Sequence, residues 1–232
     1  MKKWSLLAFI SALLMGCGSN DAEDVVVDTI GLDIDGLSTQ DKQHYAQVST
    51  DINTLIIHIG GQCFDAESER NPDMELTGFN CNIANYKDSA SQAQYSSISL
   101  ISGELAITRT SLNTYKIQTN DNVKFHAASI SDGTLNYRLE DDNAIHFTEN
   151  EATDSHTATF RGFFRDDKTL DVTYWTVESI SSTPFSYEED TNNQHSWLAG
   201  GSAKLSGKDG KTFDWTTSTT GEVVLPLTRK RY

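Results

Sequence analysis

Basic residues, proline and cysteine are all scarce in this chain of 232 residues. It carries 18 lysines and arginines against 33 aspartates and glutamates, which gives a net charge of −15. A surface of that sign repels phosphate backbones, so nucleic acid is not an expected partner. Only three prolines interrupt the chain. We therefore expect a single domain over residues 38–232, which is long enough to bury a substantial core.

Sequence signatures of catalysis and of metal binding are also missing. There is no Gly-x-Ser-x-Gly elbow, no His-Glu-x-x-His, no Ser-x-x-Lys and no glycine-rich phosphate loop. The six histidines have no spacing typical of a metal pair on one element. The sequence therefore predicts no metal and no cofactor. It favours a protein that binds rather than catalyses, with a hydrolase as the alternative.

No hydrophobic run is long enough to span a bilayer as a helix. Lys2 and Lys3 precede an uncharged, mostly apolar segment over residues 4–15, whereas a spanning helix needs about 20 apolar residues. A charged start followed by a short apolar core is typical of an export signal. The segment leads into the sequence LMGC at residues 14–17, which resembles the lipobox of bacterial lipoprotein signals.

The resemblance to lipoprotein signals implies a lipid anchor on Cys17. In such proteins the thiol receives a diacylglyceryl group, residues 1–16 are removed, and the freed amine is acylated, typically with palmitate. Several acyl chains hold a protein firmly on a membrane, whereas a single chain binds marginally. Gly18 and Ser19 stand in place of the aspartate that retains such proteins in the inner membrane. The resemblance therefore implies a protein anchored in the outer membrane, facing the periplasm or the cell surface.

The two remaining cysteines, Cys63 and Cys81, are predicted to form a disulfide. An even pair of cysteines in an oxidising compartment is most simply a disulfide. Closing the polar loop between them would stabilise the fold by about 3 kcal/mol. A redox-active pair is the alternative, although the Cys-x-x-Cys spacing that lowers a thiol pKa is absent from the sequence.

One helix is predicted, from about residue 39 to residue 59. Ser38 or Thr39 can cap it, and Asp41 lies favourably in the first turn. The pair Gly60-Gly61 is expected to end it. Apolar residues recur along one face at spacings of three and four: Tyr45, Val48, Ile52, Leu55, Ile56 and Ile59. The acidic residues 17–37 before the helix are predicted to be a tether.

From about residue 95 onward the hydrophobic period changes to two, which indicates short β-strands. Pairs such as Asp132-Gly133 and Asp209-Gly210 separate many of these segments and favour hairpin turns. Consecutive short strands predict a mainly β fold, an antiparallel meander closed as a barrel or folded as a sandwich, with one N-terminal amphipathic helix. This arrangement resembles lipocalin-like lipoproteins by loose analogy, which implies the binding of a small ligand.

A long interstrand segment, residues 185–197, mixes aromatic side chains with amides and acids. Aromatic rings offer a face for stacking and amides offer hydrogen bonds, a combination that suits sugars. The alternative is that the aromatics fold back over the end of the sheet. The candidate ligand-binding residues are Phe185, Tyr187, Asn192, Asn193 and Trp197. The sequence leaves open whether the domain holds a small apolar molecule or sugar, or acts as an accessory subunit with an envelope protein partner.

Overall fold

A computed structural model describes residues 28–70, 78–86, 95, 97–111, 113–139, 143–150, 155–167, 171–188, 200–218 and 221–226. These residues form one α-helix and fourteen strands of a single sheet. Helix α1 spans Thr39–Arg70. The strands are β1 (Asp28–Gly31), β2 (Phe79–Asn82), β3 (Ser99–Ser102), β4 (Glu104–Ser111), β5 (Thr114–Thr119), β6 (Val123–His126), β7 (Thr134–Arg138), β8 (Ile145–Asn150), β9 (Ser155–Asp167), β10 (Asp171–Ser179), β11 (Phe185–Glu188), β12 (Gly201–Ser206), β13 (Thr212–Thr217) and β14 (Val223–Val224). The predicted mainly β fold with one helix is confirmed.

The long strand β9 organises the sheet because it pairs with different neighbours along its length. Its first half lies between β8 and β11, and its second half lies between β7 and β10. One branch of the sheet continues from β8 through β5 and β4 to β2, a second from β10 through β12 and β13 to β14, and a third from β7 through β6 to β3. Neighbouring strands are antiparallel, except that β1 pairs in parallel with β10. The structure gives no closed barrel in the described part of the chain.

Helix α1 lies in the middle of the fold. Every residue from Val48 to Gly60 is buried, so strands surround this part of the helix. Trp215 of β13 donates a 3.0 Å hydrogen bond from Nε1 to Oγ1 of Thr50, and Tyr137 of β7 donates one to Oδ1 of Asn53. Because the helix fills the middle of the fold, the sheet packs around it instead of closing on itself.

The helix begins where the sequence predicts but ends later. Ser38 Oγ accepts a 3.1 Å hydrogen bond from the backbone N–H of Asp41, whose carboxylate accepts one from the N–H of Ser38 at 3.0 Å. This reciprocal cap confirms the predicted start. The predicted end at Gly60-Gly61 is wrong, since the helix continues to Arg70. By propensity alone two glycines would weaken a helix interior, and at Gly60 the close approach of the helix to Ile117 and Ile107 acts against this.

The predicted apolar stripe of α1 is confirmed, but the helix is not amphipathic along its buried part. All six stripe residues are buried. The opposite face is buried as well, including the polar residues Ser49, Asn53 and Thr54. Such a helix is typical of the centre of a fold rather than of its surface.

The predicted tether also differs from the structure at its C-terminal end. Residues 28–31 form strand β1 on the edge of β10, and the side chains of Leu32 and Ile34 are buried in the core. Residues 17–27 lie outside the described residues. The domain therefore includes residues from 28 onward, because their backbone completes the open edge of β10 and their apolar side chains cover the core.

The predicted disulfide between Cys63 and Cys81 is present, with the two Cα atoms 6.1 Å apart. Cys63 lies in the last third of α1, and Cys81 lies in β2, the outermost strand of its branch. Both cysteines are buried. The bond therefore ties the C-terminal part of the helix to the edge of the sheet.

Candidate ligand-binding site

A cavity of about 190 Å³ lies between the C-terminal part of α1 and strands β4, β5 and β8. The helix supplies one wall and the three strands supply the other. The residues that line the cavity are His58, Gly60, Gly61, Gln62, Phe64, Ile107, Tyr115, Ile117, Phe147 and Glu149. The strand residues alternate along their strands, as expected for side chains that share one face of a sheet.

The two glycines of α1 create this space in different ways. A Cβ added at Gly60 would lie 2.6 Å from Cδ1 of Ile117, so the missing side chain allows the helix to approach β5 closely. A Cβ added at Gly61 would meet no atom within 4 Å. Since Gly61 lines the cavity, its missing side chain leaves part of that volume empty.

Three aromatic rings form much of the cavity wall. The ring centroids of Phe64 and Tyr115 are 4.3 Å apart, and those of Tyr115 and Phe147 are 6.3 Å apart. The guanidinium carbon of Arg109 lies 5.7 Å from the centroid of Phe64 and 6.0 Å from that of Tyr115. Arg109 itself is not among the lining residues. The Arg109 cation therefore already lies close to two of these rings, without lining the cavity.

The polar residues of the cavity differ in exposure, since His58 is buried and two others are not. Glu149 and Gln62 are partly exposed, whereas Ile107 and Ile117 are buried. The hydroxyl of Tyr115 donates a 3.3 Å hydrogen bond to Oε2 of Glu149, which holds the carboxylate beside the aromatic wall. Among the described lining residues Glu149 is the only carboxylate, and none is a lysine or arginine. The cavity thus combines buried residues, two isoleucines and a histidine, with a partly exposed mouth that carries a carboxylate.

A separate set of buried polar side chains lies along the middle of α1. Asp51 accepts hydrogen bonds from Ser97 Oγ and, at 2.8 Å, from Gln47 Nε2. Burial raises the pKa of the Asp51 carboxyl despite these two bonds, which lower it. Desolvation likewise raises the pKa of Tyr187, which lies fully buried on β11. None of these groups lines the cavity.

The structure places the sequence-predicted site residues in three kinds of position. Phe185 and Tyr187 lie on β11 with 1% and 0% of their surface exposed, and Phe185 packs on Phe160 of β9 with ring centroids 5.0 Å apart. Cys63 and Cys81 form the disulfide. Four residues lie outside the described residues: Cys17, Asn192, Asn193 and Trp197. None of the candidates that the structure describes is among the residues that line the cavity.

Sequence reasoning missed the cavity because its walls come from distant parts of the chain. One signal was present: the apolar pattern of the helix continues beyond Gly60 and Gly61 to Cys63 and Phe64. Glycines inside a continuing helical pattern commonly have a packing role. The aromatic residues of β5 and β8 looked like ordinary core residues in the sequence.

Within the described ranges no group of three or more histidine, cysteine, aspartate or glutamate side chains could hold a metal ion. No helix of that part of the chain is long and apolar enough to cross a membrane. Comparisons of the chain with protein-family models, curated proteins and solved structures found no significant match.

Proposed function

We propose that this protein is a lipid-anchored envelope lipoprotein whose β-rich domain binds a small, mainly apolar molecule in the cavity between α1 and strands β4, β5 and β8. The observation that supports binding is the cavity itself. It is walled by three aromatic rings and two isoleucines and has a few polar groups at its mouth. Ligand sites in proteins commonly combine apolar walls with a small number of polar groups.

The anchor rests on the N-terminal sequence. From the lipobox resemblance we propose that Cys17 is acylated. From Gly18 and Ser19 we propose that the protein is directed to the outer membrane. The protein would then face the periplasm or the cell surface. An anchored binding domain of this kind retains its ligand at the envelope without any chemical step.

The volume limits the ligand to a small molecule. An engineered apolar cavity of about 150 Å³ in another protein is large enough for benzene. A cavity of about 190 Å³ therefore has room for one aromatic ring with a short substituent. For a ligand of about eight non-hydrogen atoms we expect a dissociation constant on the order of 0.1–1 mM.

The alternatives receive less support from the described residues. An assembly role would be favoured by a contiguous apolar patch, but the exposed large hydrophobic residues there are Ile101, Tyr174 and Val224, on three different strands. A hydrolase that forms a covalent intermediate would use a serine, threonine or cysteine nucleophile, and none of the described cavity residues is one of these. A glycan platform at residues 185–197 would require exposed rings, whereas Phe185 and Tyr187 are buried.

Protein-detected NMR with benzyl alcohol as the probe tests the proposed site. Titration should shift amide signals of the helical segment 58–64 and of the strand residues around Ile107, Tyr115 and Phe147. Signals of β13, in another branch of the sheet, should not shift and serve as an internal control. Shifts confined to residues away from the cavity, or no shifts at millimolar probe, would contradict the proposal.

A further inference from the structure

We propose that the cavity selects small organic cations, namely an ammonium group carried on a single ring or short alkyl chain, over neutral and anionic molecules of the same size. This inference rests on the proposed function, because it names the class of ligand for the same cavity. Three independent features of the described residues support it: the aromatic wall, the single carboxylate and the position of that carboxylate at the mouth.

The aromatic wall is the first feature. The face of an aromatic ring carries negative charge density and attracts a cation placed within about 6 Å of its centroid. Phe64, Tyr115 and Phe147 together present three rings to the cavity. Two of them already attract a cation from outside, because the Arg109 guanidinium lies within 6.0 Å of both centroids. Groups of aromatic rings are a general means of recognising ammonium ligands.

The single carboxylate is the second feature. Glu149 is the only carboxylate among the described lining residues, and no lysine or arginine among them opposes it. An anionic ligand would be repelled by Glu149, and no lysine or arginine among the described lining residues would offset that repulsion in a partly desolvated site. The net charge of −15 acts in the same direction, since it attracts cations to the protein and repels anions.

The position of Glu149 is the third feature. Because this residue is partly exposed while Ile107 and Ile117 are buried, a ligand can place its ring against the isoleucines and keep its ammonium group near water. The cation then avoids the full cost of leaving water, which a deeply buried charge would incur. The Tyr115 hydroxyl donates its hydrogen bond to the carboxylate, so Glu149 is already oriented before the ligand arrives.

The test compares three probes of nearly equal size by isothermal titration calorimetry at pH 7: benzylamine, benzyl alcohol and benzoate. Benzylamine carries a positive charge, benzyl alcohol none and benzoate a negative charge. We expect benzylamine to bind about tenfold more tightly than benzyl alcohol, and benzoate to bind most weakly. In Glu149→Gln, which can still accept the Tyr115 hydrogen bond, the preference for benzylamine over benzyl alcohol should fall, because the carboxylate is lost while the aromatic wall remains.

The matched control is Glu222→Gln, which removes the same charge from an exposed residue beside β14, at the far end of the sheet from β4. It should keep the preference for benzylamine. Equal loss of preference in both variants would overturn the assignment to Glu149. Benzyl alcohol binding as tightly as benzylamine to the unmodified protein would overturn the inference and leave the proposed function standing. If none of the three probes binds, both fail.

Discussion

A Cβ added at Gly60 would lie 2.6 Å from Cδ1 of Ile117, yet one added to its neighbour Gly61 would meet no atom within 4 Å. The two adjacent glycines of α1 therefore have opposite surroundings. Gly60 allows the helix to contact β5, and Gly61 leaves open the space beside that contact. Part of the cavity volume is therefore the space that a side chain at position 61 would occupy.

Because of this difference, substitution by alanine should change the free energy of unfolding differently at Gly60 and at Gly61. Gly61→Ala should raise the free energy of unfolding by about 1 kcal/mol, because alanine favours the helix and its methyl group enters empty space. Gly60→Ala should stabilise the fold less than Gly61→Ala does, because its methyl group would meet Cδ1 of Ile117 and that side chain must shift. Urea unfolding of the two variants measures both values. Equal stabilisation by both changes would contradict the packing described for Gly60.

The disulfide predicts a loss of stability when Cys63 and Cys81 are both replaced by alanine. Closing a loop of this length constrains the unfolded chain, so the double variant should lose about 3 kcal/mol of unfolding free energy. In the exported wild-type protein, a thiol probe should label neither cysteine before reduction. Labelling without reduction, or a double variant as stable as the wild type, would show that the bond does not form or does not stabilise the fold.

The buried carboxyl of Asp51 predicts an unusual dependence of stability on pH. Burial raises its pKa above the ordinary value of 3.8 in the folded state. As pH rises above that ordinary value, the unfolded chain loses this proton before the folded chain does. The group therefore destabilises the fold progressively until the pH reaches its raised folded pKa. The amide introduced by Asp51→Asn cannot ionise, although it can form hydrogen bonds with the same two neighbours.

The measurement for Asp51 is the difference in unfolding free energy between the wild type and Asp51→Asn over a pH series from about 4 to 7. The unfolding free energy of Asp51→Asn should increase relative to that of the wild type as pH rises. Asp214→Asn, which makes the same change at an exposed position of β13, is the matched control. A difference for Asp51→Asn that stays constant or changes in the opposite direction would contradict the raised pKa.

Local signals in the sequence were sufficient for some features of the fold. The start of α1 and its apolar stripe follow from capping chemistry and periodicity within a short window, and the disulfide follows from the number of cysteines. The end of α1 could not be predicted in this way, because Gly60 is stabilised in the helix by contact with Ile117, which lies far away along the chain. The cavity depends on the same long-range contact, and so its residues could not be recognised before the fold was known.

The anchor predicts that Cys17→Ser abolishes acyl labelling and releases the protein from membranes. Two or more acyl chains account for firm attachment, so their loss should leave a protein recovered in the aqueous fraction after membrane sedimentation. Cys63→Ser/Cys81→Ser is the matched control, since it removes cysteines without removing the proposed acylation site. A Cys17→Ser protein that stays with the membrane without lipid would contradict the lipoprotein assignment.

The affinity of benzyl alcohol for the wild type and for Gly61→Leu, measured side by side by calorimetry, tests the binding role most directly. A leucine at position 61 enters the open space of the cavity and contributes a good helix former, so the variant should remain folded with an undiminished melting temperature. We predict a dissociation constant on the order of 0.1–1 mM for the wild type and at least about tenfold weaker binding for the folded variant. Equal affinity of the two proteins, or no binding to the wild type, would contradict a ligand site in this cavity.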